Sequence, residues 1–103
     1  MEIVECPVCL KKCEMGSISK PFEGSKYDCP RCLRFAFDSL AEIYVPRFFR
    51  DREDARKALQ TYIKNNQIEG KFLPLKWSEI GNILRQAGVN VEGLFPPNKD
   101  KKN

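Results

Sequence analysis

The chain has 103 residues, 42% of them hydrophobic and 31% charged, with no histidine and a formal net charge of +4. That length holds one compact domain, or a small metal module with a helical partner, and excludes a large buried catalytic cavity. The lack of histidine removes the commonest general base, Cys–His nucleophilic pairs and every mixed Cys/His metal site, so neither an enzyme nor a small-molecule substrate is expected.

Residues 1–5 carry no leader or long apolar run before the first cysteine, from which a cytoplasmic chain without a membrane anchor is expected. Residues 2–5 and 15–18 have the short alternating pattern of strands. Between and beyond them lie two stretches that read alike, Cys6-Pro7-Val8-Cys9-Leu10 and Cys29-Pro30-Arg31-Cys32-Leu33. Each Cys-x-x-Cys lets one tight turn present two thiolates to a single ion, and two such turns close a tetrahedral shell of four sulfurs. The 19 residues between the pairs match the spacing of a metal site. Cys6, Cys9, Cys29 and Cys32 are therefore the candidate ligands, with Zn²⁺ as the expected occupant. Two disulfides, a redox dithiol, and iron or an iron-sulfur cluster are the alternatives that the spacing leaves open. The fifth cysteine, Cys13, reads as a small strand residue outside the shell.

Gly16 and the cluster Pro21-Phe22-Glu23-Gly24-Ser25-Lys26 supply turns, and Tyr27 leads into the second cysteine pair. After it, Leu33-Arg34-Phe35-Ala36-Phe37 alternates with period two, placing Leu33, Phe35 and Phe37 on one face and Arg34 in water.

The two cysteine turns form a small internal repeat, each with Pro after its first Cys, Leu after its second, and a basic residue next, Lys11 in one and Arg34 in the other. This pattern resembles the zinc-ribbon group, whose members hold zinc between two knuckles at the ends of β-hairpins. Those knuckles commonly carry Gly after the second Cys, where the turn favours positive φ. Leu10 and Leu33 stand there instead, which puts the tightness of the knuckles in question. Residues 27–74 also resemble N-terminal ribbon modules of bacterial proteins, in which Cys-Pro-x-Cys and Tyr-x-Cys-Pro-x-Cys knuckles precede a helix. That resemblance implies a module that precedes an effector or nucleic-acid-processing domain.

From Ser39 the period becomes helical. Residues 39–44 make one or two turns stopped by Pro46, and a longer helix starts at Asp51 as N-cap, with Ala55, Ala58, Leu59, Tyr62 and Ile63 on its apolar face. A linker around Phe72-Leu73-Pro74-Leu75 leads to a third helix, with Trp77, Ile80, Leu84 and Ala87 on one side and Gly88 as its stop. Residues 77–90 are similar to the first helix and turn of a helix-turn-helix, but no recognition helix follows them. The predicted fold is α+β: a β zinc ribbon over residues 1–45, two or three short helices packed against it over 46–92, and a flexible tail over 93–103.

Charge is unevenly placed. Residues 1–45 hold six Lys/Arg against seven Asp/Glu, whereas residues 46–103 hold twelve against seven, giving −1 and +5. Arg47, Arg50, Arg52, Arg56 and Lys57, with Phe48 and Phe49 beside them, combine charge with aromatic surface as single-strand binders do, and they are the candidate nucleic-acid contacts. The expected function is a zinc-stabilised nucleic-acid-binding module. A protein-docking or sensing adaptor built on a structural ribbon is the alternative.

Overall fold

The computed structural model describes residues 1–18 and 23–92. Along the chain run β1 (Glu2–Glu5), β2 (Lys12–Ile18), β3 (Gly24–Cys29), β4 (Leu33–Asp38), α1 (Ser39–Phe48), α2 (Glu53–Asn65), β5 (Leu73–Leu75) and α3 (Trp77–Gln86). The strands form one sheet in the order β1-β2-β3-β4-β5. The first four pair antiparallel with their chain neighbours, and β5 lies parallel to β4. A parallel pair needs a crossover, which α1 and α2 provide. The fold is α+β, a small sheet followed by helices, as the change of period predicts.

Register decides what the sheet buries. Met15, Tyr27, Phe35 and Leu73 lie abreast across β2, β3, β4 and β5, and Ser17, Ser25, Phe37 and Leu75 form the next row. Tyr27 stacks on Phe35 with centroids 5.0 Å apart, and Phe37 meets both rings at 5.6 and 5.1 Å. Against this face pack Ala41 and Val45 of α1, Leu59 and Ile63 of α2, and Ile80 and Leu84 of α3, all completely buried. Each large side chain taken out of water there contributes about 1.5–3 kcal/mol. The cysteine turns belong to the same cluster, so ribbon and helices share one core. α1 runs from Ser39 to Phe48 and so spans the boundary between residues 45 and 46 that composition suggests.

Three junctions differ from what the sequence predicts. α1 continues past Pro46 for two residues. The pyrrolidine ring removes the N–H that the Glu42 carbonyl would accept and crowds that carbonyl, but buried Val45 and Phe49 hold the last turn and the Phe49 N–H donates to the Val45 carbonyl at 2.9 Å. α2 begins at Glu53 rather than Asp51, with Arg52 at the cap and no capping side chain. Its start rests on Glu53 and Asp54 at the positive end of the helix dipole. The segment read as a linker contains β5, where Pro74 sits exposed between buried Leu73 and Leu75. An edge strand tolerates proline because the missing N–H would point to water.

Asp38 joins the layers. Its Oδ1 accepts the Ala41 N–H at 2.9 Å as the N-cap of α1 and the Trp77 N–H at 3.1 Å at the start of α3. At the far end of α3, Gly88 at φ +84° donates to the Arg85 carbonyl, and Val89 reaches back to that of Leu84. These paired bonds satisfy the last carbonyls and give the stop that Gly88 predicts. Trp77 is half-buried among Tyr44, Phe48 and Phe49, at 5.2, 6.4 and 6.0 Å between centroids. The tail over 93–103 lies outside the described residues, as do residues 19–22 of the predicted turn.

Gly24, read from sequence as a turn residue, is the first residue of β3 and lies opposite Asp38. A Cβ added there would sit 1.9 Å from the Phe37 carbonyl oxygen and 2.8 Å from the Asp38 Cα, both backbone atoms that cannot rotate away. Gly24→Ala is therefore expected to lower the urea-unfolding free energy by about 3 kcal/mol, at the upper end of overpacking costs, while Gly16→Ala, which meets only flexible side-chain ends at 3.4 Å, costs far less. Equal midpoints for the two variants would contradict this account.

Candidate metal centre

Two hairpin ends build the site. The turn between β1 and β2 carries Cys6 and Cys9, and the turn between β3 and β4 carries Cys32, with Cys29 the last residue of β3. In the first turn the Leu10 N–H donates to the Cys6 carbonyl at 2.8 Å, and the Cys6 N–H closes the loop on the Lys11 carbonyl at 2.6 Å. Leu10 and Leu33 take φ of +66° and +76°, so both turns adopt the positive φ that glycine ordinarily supplies although neither carries glycine there. The left-handed conformation costs a non-glycine residue roughly 1–2 kcal/mol, which the surrounding structure must offset. This strain also takes Leu33 out of the alternating pattern. It is 37% exposed, while Phe35 and Phe37 are wholly buried.

The four sulfurs of Cys6, Cys9, Cys29 and Cys32 all lie within 4.8 Å of one another. Cys6 Sγ is 3.9 Å from Cys32 Sγ, and Cys9 Sγ is 3.6 Å from Cys29 Sγ. A tetrahedron with Zn–S bonds of about 2.3 Å has edges of about 3.8 Å, which these two distances bracket. The sequence-predicted ligands are thus brought together in a zinc-ribbon-like cluster, with Cys6, Cys29 and Cys32 buried and Cys9 half-buried. Cys13 is also buried, on β2, and is not one of the clustered four.

Electrostatics make a cation the natural occupant. With only protons to compensate the sulfurs, the hydrogen bond between Cys6 and Cys32 holds Cys6 well below the usual thiol range and pushes Cys32 up. Burial pushes Cys9 up to about 11 and Cys13 up to about 12. Four thiolates cannot coexist at these distances unless a positive ion cancels part of their repulsion. A dication does so, and the four sulfurs then fill its tetrahedral shell and leave no position for water. Hydrogen bonds to sulfur complete the setting: the Val8 N–H points to Cys6 Sγ and the Gln60 side-chain amide to Cys32 Sγ, each at 3.4 Å.

The five candidate nucleic-acid contacts do not form one free patch. Arg50 makes a bidentate pair with Glu5 at 3.0 Å for both bonds, and Arg52 makes another with Asp54, adding a bond to the Asn90 carbonyl. Arg56 is half-buried and donates to the carbonyls of Phe49 and Val8 at 3.1 and 3.2 Å. Lys57 lies 3.6 Å from Glu53, one turn back on α2. Arg47 is exposed and has no ion-pair partner among the described residues. Phe49 is in the core and Phe48 half-buried, so neither offers a fully open ring. Sequence reasoning did not find Phe72, whose ring lies 5.4 Å from Lys26 Nζ and 5.6 Å from the Arg34 guanidinium. No sequence signal joins these three residues, because strand pairing alone brings them together. Among the described residues no helix is long and apolar enough to cross a membrane. In comparisons with known proteins, no family model, curated protein or solved structure matches the chain.

Two outcomes are expected at this site. Elemental analysis of freshly purified protein returns about one equivalent of zinc, retained in Cys13→Ser and lost in the double variant Cys29→Ser with Cys32→Ser, and chelation unfolds the ribbon. Less than about half an equivalent in the unaltered protein, or full retention in the double variant, contradicts the assignment. At the strained turn, Leu33→Val lowers stability by about 1–2 kcal/mol because a β-branched side chain fits positive φ worst, whereas Leu33→Gly is the more stable of the two. The opposite order in urea melts would contradict the strain account.

Proposed function

We propose that the chain is a zinc-stabilised docking module, in which one Zn²⁺ held by Cys6, Cys9, Cys29 and Cys32 has a structural rather than a catalytic role and the partner is a protein. The closed four-sulfur shell supports the structural role, since catalytic zinc keeps a position open for water or substrate. The observation that carries the choice of partner is the state of the basic cluster: Arg50, Arg52, Arg56 and Lys57 already have acceptors within the chain. A phosphate backbone would have to compete with those acceptors at every contact. Meanwhile α1 presents Leu40 and Ile43, 50% and 55% exposed, with Arg47, unpaired among the described residues, on the same side. That spacing, i, i+3 and i+7, is the anchor pattern of a helix laid into an apolar groove, and Arg47 calls for an acidic group at the groove's rim.

Nucleic acid is the second reading, favoured by the +5 balance of residues 46–103 and by the Phe72 ring flanked by Lys26 and Arg34. The two partner classes separate in one titration series. Labelled single- and double-stranded oligonucleotides at two salt concentrations are expected to bind more weakly than about 100 μM, the weak limit of non-specific association. Leu40→Asp with Ile43→Asp is expected to abolish nuclease-resistant capture of a partner from the native cell while leaving zinc content unchanged. Tighter oligonucleotide binding, weakened by salt with a log–log slope of about −0.7 to −0.9 per phosphate contact and lost in Arg47→Glu with Lys57→Glu, would establish the nucleic-acid reading instead.

A further inference from the structure

The two knuckles obtain their outer hydrogen bonds differently. In the first, the turn supplies its own donor, the Val8 N–H 3.4 Å from Cys6 Sγ. For Cys32 the donor comes from α2, where Gln60 Nε2 lies 3.4 Å from the sulfur. One turn earlier on that helix, Arg56 Nη1 donates at 3.2 Å to the carbonyl of Val8, between the two cysteines of the first knuckle. Residues four apart are neighbours on a helix face, so a single turn of α2 touches both knuckles. Arg56 and Gln60 are half-buried beside Leu59 and Ile63, which are fully buried and supply the packing.

We propose that α2 is a working part of the metal centre: Gln60 is the positioning donor to the Cys32 sulfur, and with Arg56 it clamps the two knuckles, so that metal binding and the seating of α2 reinforce each other. The inference rests on the zinc reading above. A hydrogen bond to an ionised acceptor is roughly twice as strong as one between neutral groups. Metal binding makes Cys32 a thiolate and so strengthens the bond from Gln60. Linkage makes the effect reciprocal: whatever the metal does for α2, seated α2 does for the metal. Outer donors of this kind typically change metal affinity by about 10- to 100-fold when removed. Arg56 adds a fixed positive charge next to a shell that carries net −2 when four thiolates surround a dication.

The test compares the unaltered chain with Gln60→Met, which keeps length and loses the donor, and Gln60→Lys, which keeps an N–H donor. Two readouts apply: the rate of zinc transfer to a chromophoric chelator, and the sulfur-to-cobalt charge-transfer band of the cobalt-substituted protein. Gln60→Met is expected to release zinc about tenfold faster or more and to shift the band, while Gln60→Lys stays within about threefold of the unaltered chain with its band in place. A purely packing role for residue 60 would leave the band unmoved. If the unaltered chain holds one zinc and Gln60→Met matches it in rate and band, the inference is overturned while the zinc reading stands. If Gln60→Lys fails as Gln60→Met does, the donor is not what matters, and the inference is overturned as well. An unaltered chain without metal would instead overturn the zinc reading itself.

Discussion

Four sulfurs held within 4.8 Å of one another are the constraint on which this fold depends. A metal bound by them would tie the β1–β2 turn to the β3–β4 turn, beside an edge strand that contributes little to the core. β1 offers only half-buried Val4 to the core, and its Glu2, Ile3 and Glu5 are exposed. Such a strand would fray from the sheet if its neighbouring turn were not held. A dication bound by the four thiolates contributes roughly 10–16 kcal/mol of apparent binding energy, comparable to the whole net stability of an ordinary domain. The same closure would offset the cost of holding Leu10 and Leu33 at positive φ. Their strain, about 1–2 kcal/mol each, is small against the energy of completing the shell.

How much of this was legible in the sequence depends on how far apart the interacting residues lie. The cysteine pairs were legible because ligand spacing is local and chemically specific. The alternation at Phe35 and Phe37, the apolar stripe of α2, that of α3 at Trp77, Ile80 and Leu84 though not at exposed Ala87, and the stop at Gly88 were legible because each depends on neighbours within a turn or two. β5 was not: three residues with a proline in the middle carry no period, and only pairing with Phe35 to Phe37 of β4 makes them a strand. The passage of α1 through Pro46 was hidden for a similar reason, since buried Val45 and Phe49 overrule a local breaker. Asp51 had the chemistry of a cap, but the chain enters α2 two residues later, where Arg52 and Asp54 make their bidentate pair.

The basic cluster was the feature least open to sequence reading. Arg50 answers Glu5 from 45 residues away, and Arg56 answers Val8 from 48. Neither pairing leaves a mark on local composition, so two of the arginines that look like part of a surface patch, Arg50 and Arg56, are in the fold ties between the helical half and the ribbon. The exposed ion pairs among them add little stability one by one, because each is screened by water. Their effect is on availability: a guanidinium already bidentate to a carboxylate must give up two charge-assisted bonds before it can take a phosphate.

The uneven charge of the two halves then has an internal explanation. The first half is −1 from its side chains, and a four-thiolate shell around a dication would add about −2 at its end, partly out of water. The second half is +5 and places Arg56 against the first knuckle and the Gln60 amide against the second. In the reduced dielectric near a half-buried site, a cation a few ångströms from an anionic centre is worth more than the same cation on the surface. With a metal bound, part of the positive excess would serve as counter-charge to the centre. Most of the remaining basic side chains among the described residues are exposed, Arg47 among them, beside the exposed side chains of Leu40 and Ile43.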